Sequence, residues 1–125
     1  MFGRSAAAWA LASESASVVT VDKVDRIAVI KPNLAWAGVS GRVRALIGDG
    51  ARIQLNRKFD CIYIDGEHDY ESVLRDIKRW DCSANHIICG HDYSEHFPGV
   101  IKAVDEFYDK IEKIGKQNPI WLVKK

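Results

Sequence analysis

The chain has 125 residues, room for one domain with one core. Its 47% hydrophobic and 28% charged content is that of an ordinary globular protein, and 18 Lys+Arg against 17 Asp+Glu leave a net charge of +1. That balance favours neither nucleic acid nor an anionic membrane as partner, and no run approaches the ~18 apolar residues of a membrane span. No long apolar segment follows Arg4 as a secretory leader requires, so a cytoplasmic protein is the default expectation. Three cysteines, Cys61, Cys82 and Cys89, lack a CxxC spacing and read as reduced core thiols. The segment 110–125 carries five lysines against one glutamate, and its simplest reading is a solvated face.

In chain order, the alanine-rich residues 5–13 predict a helix with Ser5 near its N-cap. Residues 18–22, "VVTVD", are a β-branched run ending in an acid. Residues 32–37 predict a short helix with Pro32 in its first turn. Residues 42–47 predict a second strand that meets Gly48-Asp49-Gly50, and residues 59–65 a third. Over 70–80, Val73, Leu74, Ile77 and Trp80 share one face of a 3.6-residue period and predict a helix. Residues 86–89, "HIIC", predict a fourth strand. An apolar stripe from Val100 to Ile114 predicts a long helix over 99–114, with Gly115 as its stop. Residues 120–123 close the chain with a strand.

Short apolar strands alternating with helices imply an α/β fold with a mainly parallel sheet, helices on both faces, in a single domain over 1–125. In such sheets ligands bind beyond the carboxyl ends of the strands. Four exits carry polar groups: Asp22; Gly48-Asp49-Gly50; Asp65-Gly66-Glu67-His68-Asp69; and Gly90-His91-Asp92-Tyr93, with Glu95 and His96 beyond. Asp and Gly are also turn formers, so any single exit can be a simple cap. An acid closing an early strand can hold a ribose, a role open to Asp22. If the third and fourth strands are neighbours ~4.8 Å apart, Asp65 and Asp92 can share a hard cation such as magnesium. His68 can act as general base. His91 and His96 would suit a softer metal.

The segments "VVTVD", "GDG", "FDCIYIDGEHDYESVLRDIKRW" and "IICGHDYSEHFPGVIKAVDEF" follow in an order and spacing that resembles a class I S-adenosylmethionine-dependent methyltransferase. The likeness is greatest to the branch of metal-dependent small-molecule and sugar O-methyltransferases, and its most specific part is "DGEHDYESVLRD" with "GHDY…PGVIKAVDEF". The resemblance implies a Rossmann-like sheet, S-adenosylmethionine as cofactor and a small-molecule acceptor. It places Asp22 on the ribose, Asp49 near the adenine with Gly48 and Gly50 shaping the loop, and Gly3, Arg4 and Ser5 toward the methionine part. It implies Asp65 and Asp92 as ligands of Mg2+ or another divalent cation and His68 as base; His91 stands where those members often carry an acid, and counts as a third candidate ligand. It also implies a first strand before Gly3, where this sequence has only Met1 and Phe2, and so a domain truncated at its N-terminus. Two rival expectations follow: a non-catalytic remnant that dimerises through an exposed sheet edge, and a metal-dependent hydrolase using Asp65, His68, His91, Asp92 and His96.

Overall fold

The computed structural model describes residues 3–117 and 119–125. The expectation about a strand before Gly3 falls on Met1 and Phe2, outside the described residues. The chain forms two compact units, divided between Ile53 and Gln54. No described helix is long and apolar enough to cross a membrane.

The first unit runs α1 (Arg4–Leu11), β1 (Val18–Asp22), α2 (Ile27–Trp36), a turn of 3-10 helix (Ser40–Arg42) and β2 (Val43–Ile47). The two strands are parallel, with Val18 opposite Val43 and Asp22 opposite Ile47. Ala10, Ile30, Leu34 and Val39 form the core, and Val18, Val43 and Ala45 pack against it from the strands. The helices therefore cover the sheet through small residues on α1 and branched ones on α2. Arg42 donates to the Ala10 carbonyl, in the last turn of α1, and to the Ser13 carbonyl just beyond it. Two expectations change here. Gly3, at φ 79°, is the N-cap of α1, and Ser5 lies inside the helix. Pro32 sits in the middle of α2, not in its first turn. Buried Ile30 and Leu34 flank it, so packing holds a helix whose backbone has lost one hydrogen bond.

The second unit runs β3 (Phe59–Ile64), α3 (Tyr70–Trp80), a 3-10 turn (Asp81–Ser83), β4 (Ala84–Gly90), α4 (Pro98–Phe107), β5 (Glu112–Ile114) and β6 (Ile120–Lys124). Its sheet has the order β3-β4-β6-β5. β3 and β4 are parallel, while β6 runs antiparallel to both β4 and β5. The predicted stripe of α3 is buried as Val73, Leu74, Ile77 and Trp80, worth roughly 2 kcal/mol for each large side chain removed from water. Buried with it are Ile88 and Cys89 of β4, Val100, Ala103 and Val104 of α4, and Trp121 of β6. Asp69 caps α3 by accepting from the Ser72 amide at 3.0 Å. Hydrogen bonds from the Ser72 amide and hydroxyl hold the Asp69 carboxyl below its usual range.

The long helix over 99–114 is not formed. α4 ends at Phe107, and residues 112–114 become a strand. Tyr108 turns extended because its ring packs by Phe107 and Trp121 and its hydroxyl donates to Asp81 at 2.7 Å. Burial, then Asp81, pushes that hydroxyl's pKa well up. Gly115, at φ 101°, lies in the β5–β6 connection instead of ending a helix. The lysine-rich segment is largely tied down: Lys124 pairs with Glu112, Lys125 with Asp81, and Lys113 lies over the Tyr93 ring.

Candidate active site

The parallel register of the second unit decides what meets at its strand exits. Ile64 lies opposite Gly90, and the His91 amide donates to the Ile64 carbonyl at 3.2 Å. The next residues, Asp65 on one strand and His91-Asp92 on the other, therefore emerge side by side. Gly90 permits this closeness. A Cβ there would lie 2.6 Å from the Ile64 carbonyl oxygen and 2.7 Å from the Trp121 ring.

Asp92 adopts φ 60°, the one non-glycine residue with positive φ among those described. A left-handed backbone costs about 1–2 kcal/mol, least for Asp and Asn. The twist turns its carboxylate inward, where Asp92 is only 8% exposed. Both oxygens find imidazole partners there: His68 Nε2 lies 2.7 Å from Oδ2, and His91 Nδ1 2.9 Å from Oδ1. A carboxylate only accepts, so the contact puts a proton on His68 Nε2; in the neutral ring Nδ1 then keeps the lone pair. The Ser-His-Asp enzymes orient their histidine by the same logic.

One ligand atom each from Asp65, His68 and Asp92 lies within 4.8 Å of the others. Among the described residues this is the only such group of three. His68 Nε2 is engaged by Asp92, so the two carboxylates are the donors that suit a divalent cation keeping several waters, and Asp65 with Asp92 fits the expected metal. His91 faces the far oxygen of Asp92 and is outside the group. His96 is exposed. A small concavity lined by Asp65, Glu67, His68, His91, Val100 and Trp121 opens here, with about 10 Å³ of room for the centre of a water-sized sphere. That is the space of one water or ion. Tyr63, on β3, stays protonated: burial raises its pKa first, and negative charge at Asp65 and Asp92 adds to it.

Three residues of the site carry no predicted role. Phe97 stacks on the His68 ring, centroids 4.5 Å apart and planes at 28°. Gly99 lets the first turn of α4 lie against the start of α3, where a Cβ would come 2.6 Å from the His68 carbonyl oxygen and 2.7 Å from the Tyr70 amide nitrogen. Gly90 is the third. The "PGV" at a helix start was a signal for Gly99; nothing in the sequence paired Phe97 with His68.

In the first unit the predicted residues sit at strand and helix ends. Asp22 accepts from the Val24 amide at 2.9 Å and from Arg26 at 2.6 Å. Burial pushes its carboxyl pKa up, but those two hydrogen bonds and the Arg26 charge outweigh it and the net shift is downward. Each carboxylate oxygen has two lone pairs, so Asp22 can still receive two hydroxyls of a ribose. The Gly48 amide donates to the Asp22 carbonyl at 2.9 Å, and Asp49 accepts from the Ala51 amide at 2.9 Å with Arg52 at 3.6 Å. Gly3 caps α1, and Arg4 and Ser5 are exposed in its first turn. The cysteines are free thiols: Cys61 and Cys89 face each other at 4.0 Å across β3 and β4, while Cys82 is exposed, not in a core.

This α/β architecture, with acids gathered at parallel strand exits, is the methyltransferase fold. The chain belongs to the family of methyltransferase domains, whose model matches residues 1–93. No curated protein sequence matches it. A candidate O-methyltransferase from Nostoc punctiforme superposes with a TM-score of 0.76 at 13% identity, over 96% of this chain and 47% of that one. A candidate rRNA methylase from Clostridium thermocellum gives 0.75 at 14% identity, over 98% of this chain and 82% of the other. An O-methyltransferase from Bacillus cereus, in complex with SAH, gives 0.60 at 18%, over 87% and 63%. At such identities the likeness is one of fold. The chain spans about half the length of the Nostoc protein.

Proposed function

We propose that this domain serves methyl transfer from S-adenosylmethionine to an oxygen of a small molecule, such as a sugar hydroxyl. The observation that carries the reading is the Asp92–His68 contact at 2.7 Å beside Asp65. The family membership and the O-methyltransferase likenesses support it.

Asp22 and Asp49 would hold the cofactor's ribose and adenine, and Gly3, Arg4 and Ser5 would face its methionine part. S-adenosylmethionine would supply a sulfonium methyl as the electrophile. His68 takes the acceptor's proton at Nδ1 while Asp92 steadies the ring through Nε2 and stabilises the imidazolium that forms. Asp65 and Asp92 would hold a divalent cation, which lowers the pKa of a bound hydroxyl. The acceptor's O–C bond would form as the sulfonium's C–S bond breaks, so holding the oxygen in line with the methyl would supply much of the acceleration.

Calorimetry with S-adenosylhomocysteine tests the reading: saturable binding is expected, weakened by Asp22→Ala. No binding at millimolar ligand would sink cofactor use by this chain. Chelation should depress methyl transfer to a sugar acceptor, and magnesium or manganese should restore it.

The second reading is an interaction module, favoured by the apolar surface of the first unit. Trp36 is 85% exposed, Leu11 60% and Val29 51%. Among the described residues its two-stranded sheet has no third strand. A homodimer through a sheet edge would show in light scattering; a strict monomer counts against it.

A further inference from the structure

We infer that Phe97 is a positioning residue that selects the working orientation of the His68 ring. After Asp92 the chain makes two tight turns, with the Ser94 amide on the Asp92 carbonyl and the Phe97 amide on the Ser94 carbonyl, each at 2.8 Å. They return Phe97 to the face of His68, 4.5 Å between centroids. Phe97 is itself anchored as the N-cap of α4, its carbonyl accepting from the Val100 amide at 3.0 Å. Pro98 fixes the next φ, and Gly99 brings the helix start against the His68 backbone. His68 is thus held from three sides: its edge on Asp92, its face on Phe97, its carbonyl against Gly99.

The hydrogen bond alone does not define the ring. An imidazole turned about its outer side-chain torsion swings Nε2 away from Asp92, a half-turn putting Cε1 in its place, and His68's side chain is 40% exposed, with room to move. A stacked aromatic face restricts the ring plane and so opposes the tilt that would take Nε2 off Asp92. The other nitrogen, Nδ1, is left as the acceptor. This role deepens the methyl-transfer reading, but its geometry stands without it.

The test is the tautomer of His68, read from long-range proton–nitrogen NMR correlations of the full chain at alkaline pH. The wild type should show a single tautomer with the proton on Nε2. Phe97→Leu should lose that single-tautomer signature, giving both forms or exchange-broadened ring signals, and Phe97→Tyr should restore it. In methyl transfer Phe97→Leu should lower kcat with little change in KM for cofactor. If Phe97→Leu unfolds, Phe97→Met keeps the volume without the ring and carries the test. A wild-type tautomer pattern in the ringless variant overturns the proposal. Failure to bind S-adenosylhomocysteine with the tautomer change intact sinks the methyl-transfer reading alone.

Discussion

The two parallel strand pairs, β1–β2 and β3–β4, end alike in sequence and differently in space. In the first, each acid serves its own loop: Asp22 binds Val24 and Arg26, and Asp49 binds Ala51 and lies near Arg52. Every such partner lies two to four residues away. In the second, Asp92 reaches back 24 positions to His68, and the exits build one shared cluster. An acid after a strand is therefore a cap by default. It becomes part of a site when a neighbouring exit offers a partner and the register sets them side by side.

Substitutions should separate these two kinds of exit. The largest effect is expected from Asp92→Asn, which removes the charge that orients His68: methyl transfer should fall about 10²–10⁴-fold in steady-state kinetics, as should His68→Ala. An unchanged rate would mean that the cluster is only structural.

Next comes the platform. Gly90→Ala forces a Cβ onto the Ile64 carbonyl and Trp121, an overpacking expected to cost about 1–3 kcal/mol in urea melts. Gly41→Ala, in the first unit, meets nothing within 4 Å and should stay within about 0.5 kcal/mol of wild type. Equal losses at the two positions would erase the contrast between them.

Tyr108→Phe probes the end of α4. Losing the hydrogen bond to Asp81 should cost about 1 kcal/mol, and more exchange-labile amides in β5 are expected in hydrogen-exchange measurements.

The smallest effect belongs to Asp22. Its folded pKa is depressed, so its contribution to stability is present above the unfolded pKa and is lost as pH falls through the folded one. The carboxylate is partly exposed and screened, so the contribution should be below ~1 kcal/mol. Asp22→Asn should flatten the acid limb of the stability curve from about pH 4, the ordinary value of an Asp carboxyl, downward. A steep acid limb that survives the substitution would assign the effect elsewhere.

Much of the fold was legible where the signal is local. The period of Val73, Leu74, Ile77 and Trp80 places α3 at the residues it occupies, because one buried face of a helix writes itself at fixed spacing. β1 is likewise where its β-branched run stands. The stripe from Val100 to Ile114 misled for the same reason: Ile111 and Ile114 extend the helical spacing, but Tyr108, drawn to Asp81 and Trp121, pulls the chain out of the helix. α2 begins five residues before Pro32, since tertiary packing of Ile30 and Leu34 overrides the proline.

At the site, sequence alone named Asp65, His68 and Asp92, because ionisable residues that break an apolar run stand out. It also determined the alternation of strands and helices, which follows from solvent and near-neighbour preferences along the chain. Only the tertiary structure decided that Asp92 would sit at φ 60° with an imidazole on each oxygen, that Phe97 would cover His68, and that Gly90 and Gly99 would admit the close approaches beneath them. Those facts depend on the register of β3 against β4 and on the meeting of α3 with α4. Both are set by packing between segments more than twenty residues apart, which no local pattern records.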